Sequence, residues 1–368
     1  MKAAAITGIA MNTAVGPDAR TSAAAFRAGI SRATELDYFV ALDDEDTDVG
    51  PLAGHVAMRN AIHSEGLGKM VGLGAGTLRS ALASSNWRVS SDRTGFYLAV
   101  PDYSLRETAL PESQNEDGAP RGIRLAGETR EHLLERLLRT AGAEVKPAVS
   151  AVFLGDNCAF VRALDAAMTD LSAGKVDRSF VGGIDSFLDV PSLAWGMLHR
   201  RIKCDSNPVG FAPGEAAVFL ELTSPEAAAA GARGYVCRPG FGKESGQRPD
   251  SEAALPAGVG LTLAIRDAIR QAQRECGVAI TDLNGEVDRA SDWGSALVRL
   301  GEEFPGLRQI PVWTPVAAFG ETGCASAGLS IGVAVEALDR AYAHTDSILI
   351  VSSSATNDRG AVIVSRAP

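Results

Sequence analysis

Apolar residues in this chain fall into short, nearly unbroken runs that alternate with stretches where they recur every three or four positions. The runs predict buried strands and the periodic stretches predict amphipathic helices. In the first half the pattern predicts strands over 2–10, 93–101, 148–154, 179–185 and 216–222, and helices over 18–28, 66–84, 128–142, 158–172 and 191–199. Residues 103–127 are polar and rich in Pro, Gly and Glu, which predicts a long surface loop or cap. In the second half strands are predicted over 234–240, 278–285, 309–315, 347–353 and 360–365, a polar loop over 240–258, and helices over 259–277, 288–300 and 323–343. Strands that are apolar on both faces belong to sheets covered by helices on both sides.

The pattern repeats. "FLGDNC" (153–158), a helix and "VDRSFVGG" (176–183) are echoed by "AFGETGC" (318–324), a helix and "TDSILIVSS" (345–353). Each unit runs from an apolar segment through Gly and an acidic residue to a Cys at a helix start, and on to a buried strand. This predicts two similar α/β halves, 1–225 and 226–368, each with its own mixed sheet. Packed face to face, they place equivalent helix N-termini close together.

Charge narrows the function. The formal net charge is −10 and the pI about 5.1, which argues against general binding of nucleic acid. An acidic partner touching a local basic patch stays compatible. The densest such patch is "HRRIKC" (199–204), with Arg200, Arg201 and Lys203. Five cysteines are scattered, with no CxxC pair and no Cys/His cluster, so a reduced, cytoplasmic protein without disulfides or bound metal is expected. No apolar stretch is long enough to span a membrane, and "MKAAAITGIAMNTAVG" reads as a strand and turn, not a signal peptide. "GLGAGT" (72–77) matches no nucleotide-binding loop, and no cofactor motif occurs. "GLSIG" (328–332) fits the hydrolase G-x-S-x-G motif, but Ser330 falls inside a predicted helix instead of a strand-to-helix turn.

Cys158 carries the candidate chemistry. A thiol at a helix N-terminus sits in a field that favours the thiolate. The same position also suits a small, inert residue packing helix against sheet. Asp156 nearby raises the thiol pKa, and is either an acid/base group or a helix cap.

Several segments carry a resemblance. They are "AAAITGIAMNTAVG", "AFRAGISRATEL", "GKVDRSFVGGIDS", "NPVGFAPGEAAVFLEL" and "GETGCASAGLSIGVAVEAL". In this order they resemble segments of the thiolase superfamily, in its β-ketoacyl-acyl carrier protein synthase branch. The resemblance spans nearly the whole chain. It implies duplicated mixed-sheet halves in a layered αβαβα arrangement, an acyltransferase activity in fatty acid or polyketide biosynthesis, and substrates borne on acyl carrier protein or CoA. It also implies a homodimer, or a heterodimer with a ketosynthase, centred on the strand at 148–154.

The catalytic positions depart from the family. Its Cys falls on Asp156, with Cys158 two residues on; its two His positions fall on Asn284 and Cys324. None of the five histidines lies in a matching segment, and the family's closing glycine loop is replaced by "SSSATNDRG". Cys158, Asn284 and Cys324 are therefore the candidate catalytic residues. Asp156, Phe211 and Thr322 are the candidate substrate contacts, and Arg200, Arg201 and Lys203 the candidate docking site for a carrier protein. Two readings follow: a divergent acyltransferase acting through Cys158, or a non-catalytic partner of an active ketosynthase that resembles a chain-length factor.

Overall fold

The computed structural model describes residues 3–41, 50–57, 64–85, 93–106, 121–143, 145–228, 231–244 and 257–368. The first half contains β1 (Ala3–Asn12), α1 (Ala19–Arg27), β2 (Thr34–Glu35), β3 (Ala53–Gly54), α2 (Gly66–Ser84), β4 (Thr94–Pro101), α3 (Arg121–Ala141), β5 (Val149–Gly155), α4 (Ala159–Ser172), β6 (Arg178–Ser186), α5 (Val190–Leu198) and β7 (Glu215–Thr223). After the short α6 (Pro225–Ala228) come β8 (Gly234–Cys237), β9 (Gly240–Lys243), α7 (Val259–Ala272), β10 (Val278–Ile280), α8 (Val287–Leu300), β11 (Val312–Trp313), α9 (Val316–Phe319), α10 (Ser326–Asp339), β12 (Ser347–Ser353) and β13 (Asp358–Ser365).

Most elements form where the pattern places them. α1 is capped by Asp18, whose carboxylate accepts the Thr21 N–H at 2.8 Å. The differences have local causes. α3 starts at Arg121, inside the predicted loop, because buried positions continue upstream through Gly122, Ala126 and Thr129 at helical spacing. The two glycines there, Gly122 and Gly127, cost only about 1 kcal/mol each, and packing overrides them. β9 also lies in a predicted loop. It pairs with β13 and presses on α7, and a Cβ at Gly240 or Gly242 would overlap the α7 backbone. α7 stops at Ala272, where Gln273 turns left-handed with φ 53°. β11 is two residues long because a 3-10 turn, Pro305–Gln309, takes up the chain before it.

The strands order as β11-β10-β12-β13-β8-β1-β7-β6-β4-β5, with β9 paired to β13. β2 and β3 pair separately; leaving them and β9 aside, the order is the same within each half: third, second, fourth, fifth, first. In both, the fifth strand runs antiparallel to its two neighbours while the other pairs are parallel. The expectation of two separate sheets is corrected, because β1 also pairs with β8 over Ala3–Ile6 and joins them. A register shift between Ile6 and Gly8 lets β1 bend from one half to the other.

Five layers result. α2 and α3 cover Phe96, Leu98, Phe180 and Phe219 on one outer face, and α7 and α8 cover Leu349, Val351 and Ile363 on the other. Between the two strand sets lie α4 and α10, packed with Val181, Val218, Ile350 and Val364. Small residues let their starts meet. A Cβ at Gly183 would sit 2.7 Å from the Cys324 carbonyl oxygen, and one at Gly328 would sit 2.6 Å from the Phe160 ring. β5 closes one end of the sheet, so one side of its backbone has no strand partner among the described residues.

Candidate functional site

The corner between β5 and α4 holds the candidate thiol. Cys158 is the N-cap of α4, is 1% exposed, and its side chain caps nothing. The N–H of Cys158 donates to Ser354 Oγ at 3.0 Å, and its thiol donates to the carbonyls of Ser352 and Asp358, each at 3.3 Å. Burial pushes the thiol pKa up to about 12, and Asp156 adds to the rise. Asp156 does not cap the helix. Its carboxylate accepts the Ala355 N–H at 2.8 Å. The loop that follows β12, where the sequence departs from the family's glycines, thus closes over the corner through Ser354 and Ala355.

Asn157, between these two residues, points into the space where the helix starts converge. Its Nδ2 donates to Glu321 Oε1 and to Ser326 Oγ, both at 3.0 Å. Asn284, in the Asn-Gly turn after β10, donates to Glu321 Oε2 at 2.6 Å and to Glu286 Oε2 at 3.0 Å. Glu321 is 2% exposed and also accepts the Gly323 N–H at 2.9 Å. The charge of Glu321 is met by Arg289, from the first turn of α8, whose guanidinium lies 3.2 Å from Glu321, 3.1 Å from Asp282 and 3.4 Å from Glu286. Arg289 also donates to Asn157 Oδ1 at 3.3 Å.

The carboxylates respond differently to this one cation. Burial pushes Asp282 up to about 6, against the pull of Arg289. Burial acts on Glu286 too, but Arg201 and Arg289 outweigh it and hold that carboxyl at about 2. Beside Asp282 and Glu321 a cavity of about 20 Å³ remains, lined in part by Thr281, Thr322 and Ser326. It has room for about one water molecule.

Cys324 lies in the 3-10 turn Gly323–Ala325. The N–H of Cys324 donates to Asp185 Oδ2 at 2.9 Å and its thiol donates to the Gly155 carbonyl at 3.3 Å. Burial, aided by the charge of Asp185, holds this thiol well above its usual range. Asp185 is itself gripped by Arg106 through two hydrogen bonds, and Arg106 stacks 3.8 Å over Phe187.

The remaining candidates divide. Thr322 lines the small cavity. Phe211 does not; it is core, edge-on to Phe187 at 5.1 Å and packed with Leu188, Leu193 and Ile202. Arg201 is engaged, donating to both Glu286 oxygens at 2.6 and 2.9 Å and stacking over Trp195. Arg200 and Lys203 are exposed. Asn157, Glu321, Arg289 and Ser354 escape the sequence reading, although Glu321 stands in the duplicated Gly-acidic signature. His55 escapes it too. It is buried with Nδ1 unpaired, its ring lies against Gly320, and burial lowers its pKa, which keeps it neutral. Ser330 sits within α10, as expected of a helix-packing residue.

Known structures share this architecture. A type II polyketide synthase acyl-carrier protein in complex with its ketosynthase, AntDE:AntF, aligns over 100% of both chains with a TM-score of 0.77 at 15% identity. The ketosynthase from module 6 of the Bacillus subtilis bacillaene synthase aligns over 100% of this chain and 72% of its own, with a TM-score of 0.74 at 12% identity. The ishigamide ketosynthase/chain length factor aligns over 100% of both chains, with a TM-score of 0.68 at 16% identity. The chain has the thiolase-like ketosynthase fold. No protein-family model and no curated protein matches the sequence. On the ketosynthase fold, the meeting point of the two helix starts is here occupied by amides, carboxylates and a guanidinium that bond to one another. No helix among the described residues is long and apolar enough to cross a membrane.

Proposed function

We propose that this chain is a non-catalytic, ketosynthase-like subunit that partners an active ketosynthase in polyketide or specialised lipid biosynthesis in the cytoplasm. Residues 1–225 and 226–368 form its two halves. One observation supports the reading: the space between the two helix starts, where the resemblance would put the reacting groups, is filled by the Asn157–Glu321–Asn284–Arg289 network. A nucleophile needs a thiolate and an approach path. Cys158 is buried, its thiol is spent on two carbonyls, and its pKa is raised where an acyl-transfer thiol needs it lowered. Cys324 offers no oxyanion donor to replace a histidine, because its thiol is committed to Gly155. Losing one such donor costs about 2.7–4 kcal/mol of transition-state stabilisation.

The partner would pair along β5, which is seven residues long and unpaired on its outer side among the described residues. Such an edge is an aggregation hazard unless a second strand covers it. A neighbouring groove of about 730 Å³, lined by Leu134, Leu138, Val145 and Ser150, extends the surface. The growing acyl chain would stay on the partner, and its carrier protein would meet the exposed Arg200 and Lys203 at the rim.

The competing reading, an acyltransferase through Cys158, is separated by labelling. The folded chain is treated with an acyl-pantetheine electrophile and its peptides are mapped by mass. The expected label falls on Cys204, the cysteine that is not buried, with Cys158 and Cys324 reacting only after unfolding. Label on Cys158 in the folded chain, lost in Cys158→Ala, overturns the non-catalytic reading.

A further inference from the structure

Away from this site, α1 and the end of α10 enclose an open groove of about 500 Å³ lined by Arg20, Ala24, Arg27, Ala28, Arg340 and Tyr342, among others. That size is typical of small-molecule sites. Arg20, Ala24, Arg27 and Ala28 recur at three- and four-residue spacing, so they share one stripe of α1. The alanines give the groove apolar surface beside the two arginines.

The charges around the groove do not cancel. Glu336, which also lines it, is 2% exposed and already shared by Arg233 at 2.7 Å and Arg340 at 3.1 Å. Asp339 completes that group on Arg233 at 3.2 Å, giving two cations for two anions. Arg20 and Arg27 pair with no carboxylate among the described residues, which leaves two guanidinium groups uncompensated on a chain of net charge −10. Arg27 is also held in place. Its guanidinium lies 4.4 Å over the Tyr342 ring, and that ring stacks on Trp313 at 6.1 Å. A planar, preorganised fork next to apolar surface is suited to phosphate oxygens carried on an apolar or aromatic body.

We propose that the α1–α10 groove binds an organic phosphate, with Arg20 and Arg27 gripping the phosphate and the alanines and Tyr342 contacting its body. The charge decides for phosphate over carboxylate. A phosphate monoester carries roughly −1.5 to −2 at neutral pH and matches two free guanidinium groups, whereas one carboxylate balances only one. The concave shape favours a small molecule over an acidic protein surface.

The test is calorimetric titration of the full chain with pyrophosphate, ADP and coenzyme A at about 0.15 M salt, where surface attraction is largely screened. ADP or coenzyme A is expected to bind saturably at one site, and Arg20→Gln and Arg27→Gln are each expected to weaken binding about tenfold. Neither change removes an ion pair, so the melting temperature should hold. Arg124→Gln, an exposed arginine on α3, serves as the control and should leave binding unchanged. Equal binding of pyrophosphate assigns the site to the free anion; binding of only the larger two assigns it to phosphates on an organic body. Three results overturn the proposal: no saturable binding of any of the three, binding indifferent to both α1 arginines, or an acidic carrier protein held by those arginines when none of the three binds.

Discussion

Arg289→Met removes the one guanidinium that faces Asp282, Glu286 and Glu321 while keeping much of the side-chain stem. In the folded chain Asp282 and Glu321 are 8% and 3% exposed, so water cannot replace the lost cation there, whereas Glu286, 17% exposed, keeps Arg201 at 2.6 Å. Breaking a buried pair in this way costs about 3–5 kcal/mol, chiefly through the charges left behind. With an unfolding entropy of about 2 cal/mol/K per residue, a chain of 368 residues loses roughly 1.3 °C per kcal/mol, or about 4–6 °C in melting temperature.

The pH dependence gives the sharper test. Asp282 holds its proton to about pH 6 in the folded chain, against about 4 unfolded. Its contribution to stability is therefore fully present below about 4 and lost as pH rises through 6. Glu286, held at about 2, runs the other way: its contribution is present above about 4 and lost as pH falls through 2. Arg289 lowers the pKa of both Asp282 and Glu286, so without it these two carboxyls take up protons more readily, and the loss in the variant should be largest near neutral pH and should shrink toward about pH 5. Thermal melts of both chains at these two pH values decide it. Glu321→Gln added to Arg289→Met should recover part of the loss, as coupled neighbours do. A loss under about 1 °C, or one that is the same at both pH values, refutes the claim that Arg289 meets the charge of these buried carboxylates.

The purified chain alone should show no decarboxylative condensation with malonyl-carrier thioester if, as the resemblance implies, Asn284 and Cys324 take the positions of the family's histidines; robust turnover would point to a histidine from elsewhere, with His55 the first to mutate. Ser150→Lys, at the exposed position of β5, should weaken subunit association about tenfold in sedimentation measurements, since a charge on a strand edge blocks pairing; unchanged association would place the interface elsewhere. Gly183→Ala drives a methyl toward the Cys324 carbonyl and the Phe160 ring, at 2.7 and 2.8 Å, and should cost about 1–3 kcal/mol in denaturant melts. A neutral result there would mean that the two helix starts can separate easily.

The fold was legible because its strands and helices have strong periods of their own. α2 carries nineteen residues with apolar positions at helical spacing, and β12 is an unbroken run of buried residues. Where the fold escaped the pattern, the deciding contact came from far along the chain. β9 is a strand because β13 and α7 accept its glycines, and nothing within "GFGK" announces that. The site was legible as a place and not as chemistry. The Gly-acidic-Cys repeat located both helix starts, yet it drew attention to the thiols, which bond to backbone carbonyls and not to the network. Glu321 stood in that same repeat, but its partners lie 164 positions upstream at Asn157 and 37 upstream at Asn284. Pairings of that separation have no periodic signature.

The composition of the network bears on why such a fold would be kept. A cavity that has lost its substrate can be filled with apolar side chains at no electrostatic cost, and replacing a buried ion pair by packed hydrophobic residues is often neutral or stabilising. This chain instead keeps Asp282, Glu321 and Arg289 buried together beside the partly buried Glu286, with the amides of Asn157 and Asn284 directed onto the carboxylates. Buried polar groups demand matched partners, and that demand fixes orientation where apolar packing tolerates sliding. Asn157 belongs to the corner after β5, Glu321 and Ser326 to the loop and helix of the second half, and Arg289 to α8. The network therefore locks the two halves in one relative position, through the corner joined directly to the β5 edge. If the proposed role holds, presenting that edge to an active partner calls for such rigidity and for no nucleophile.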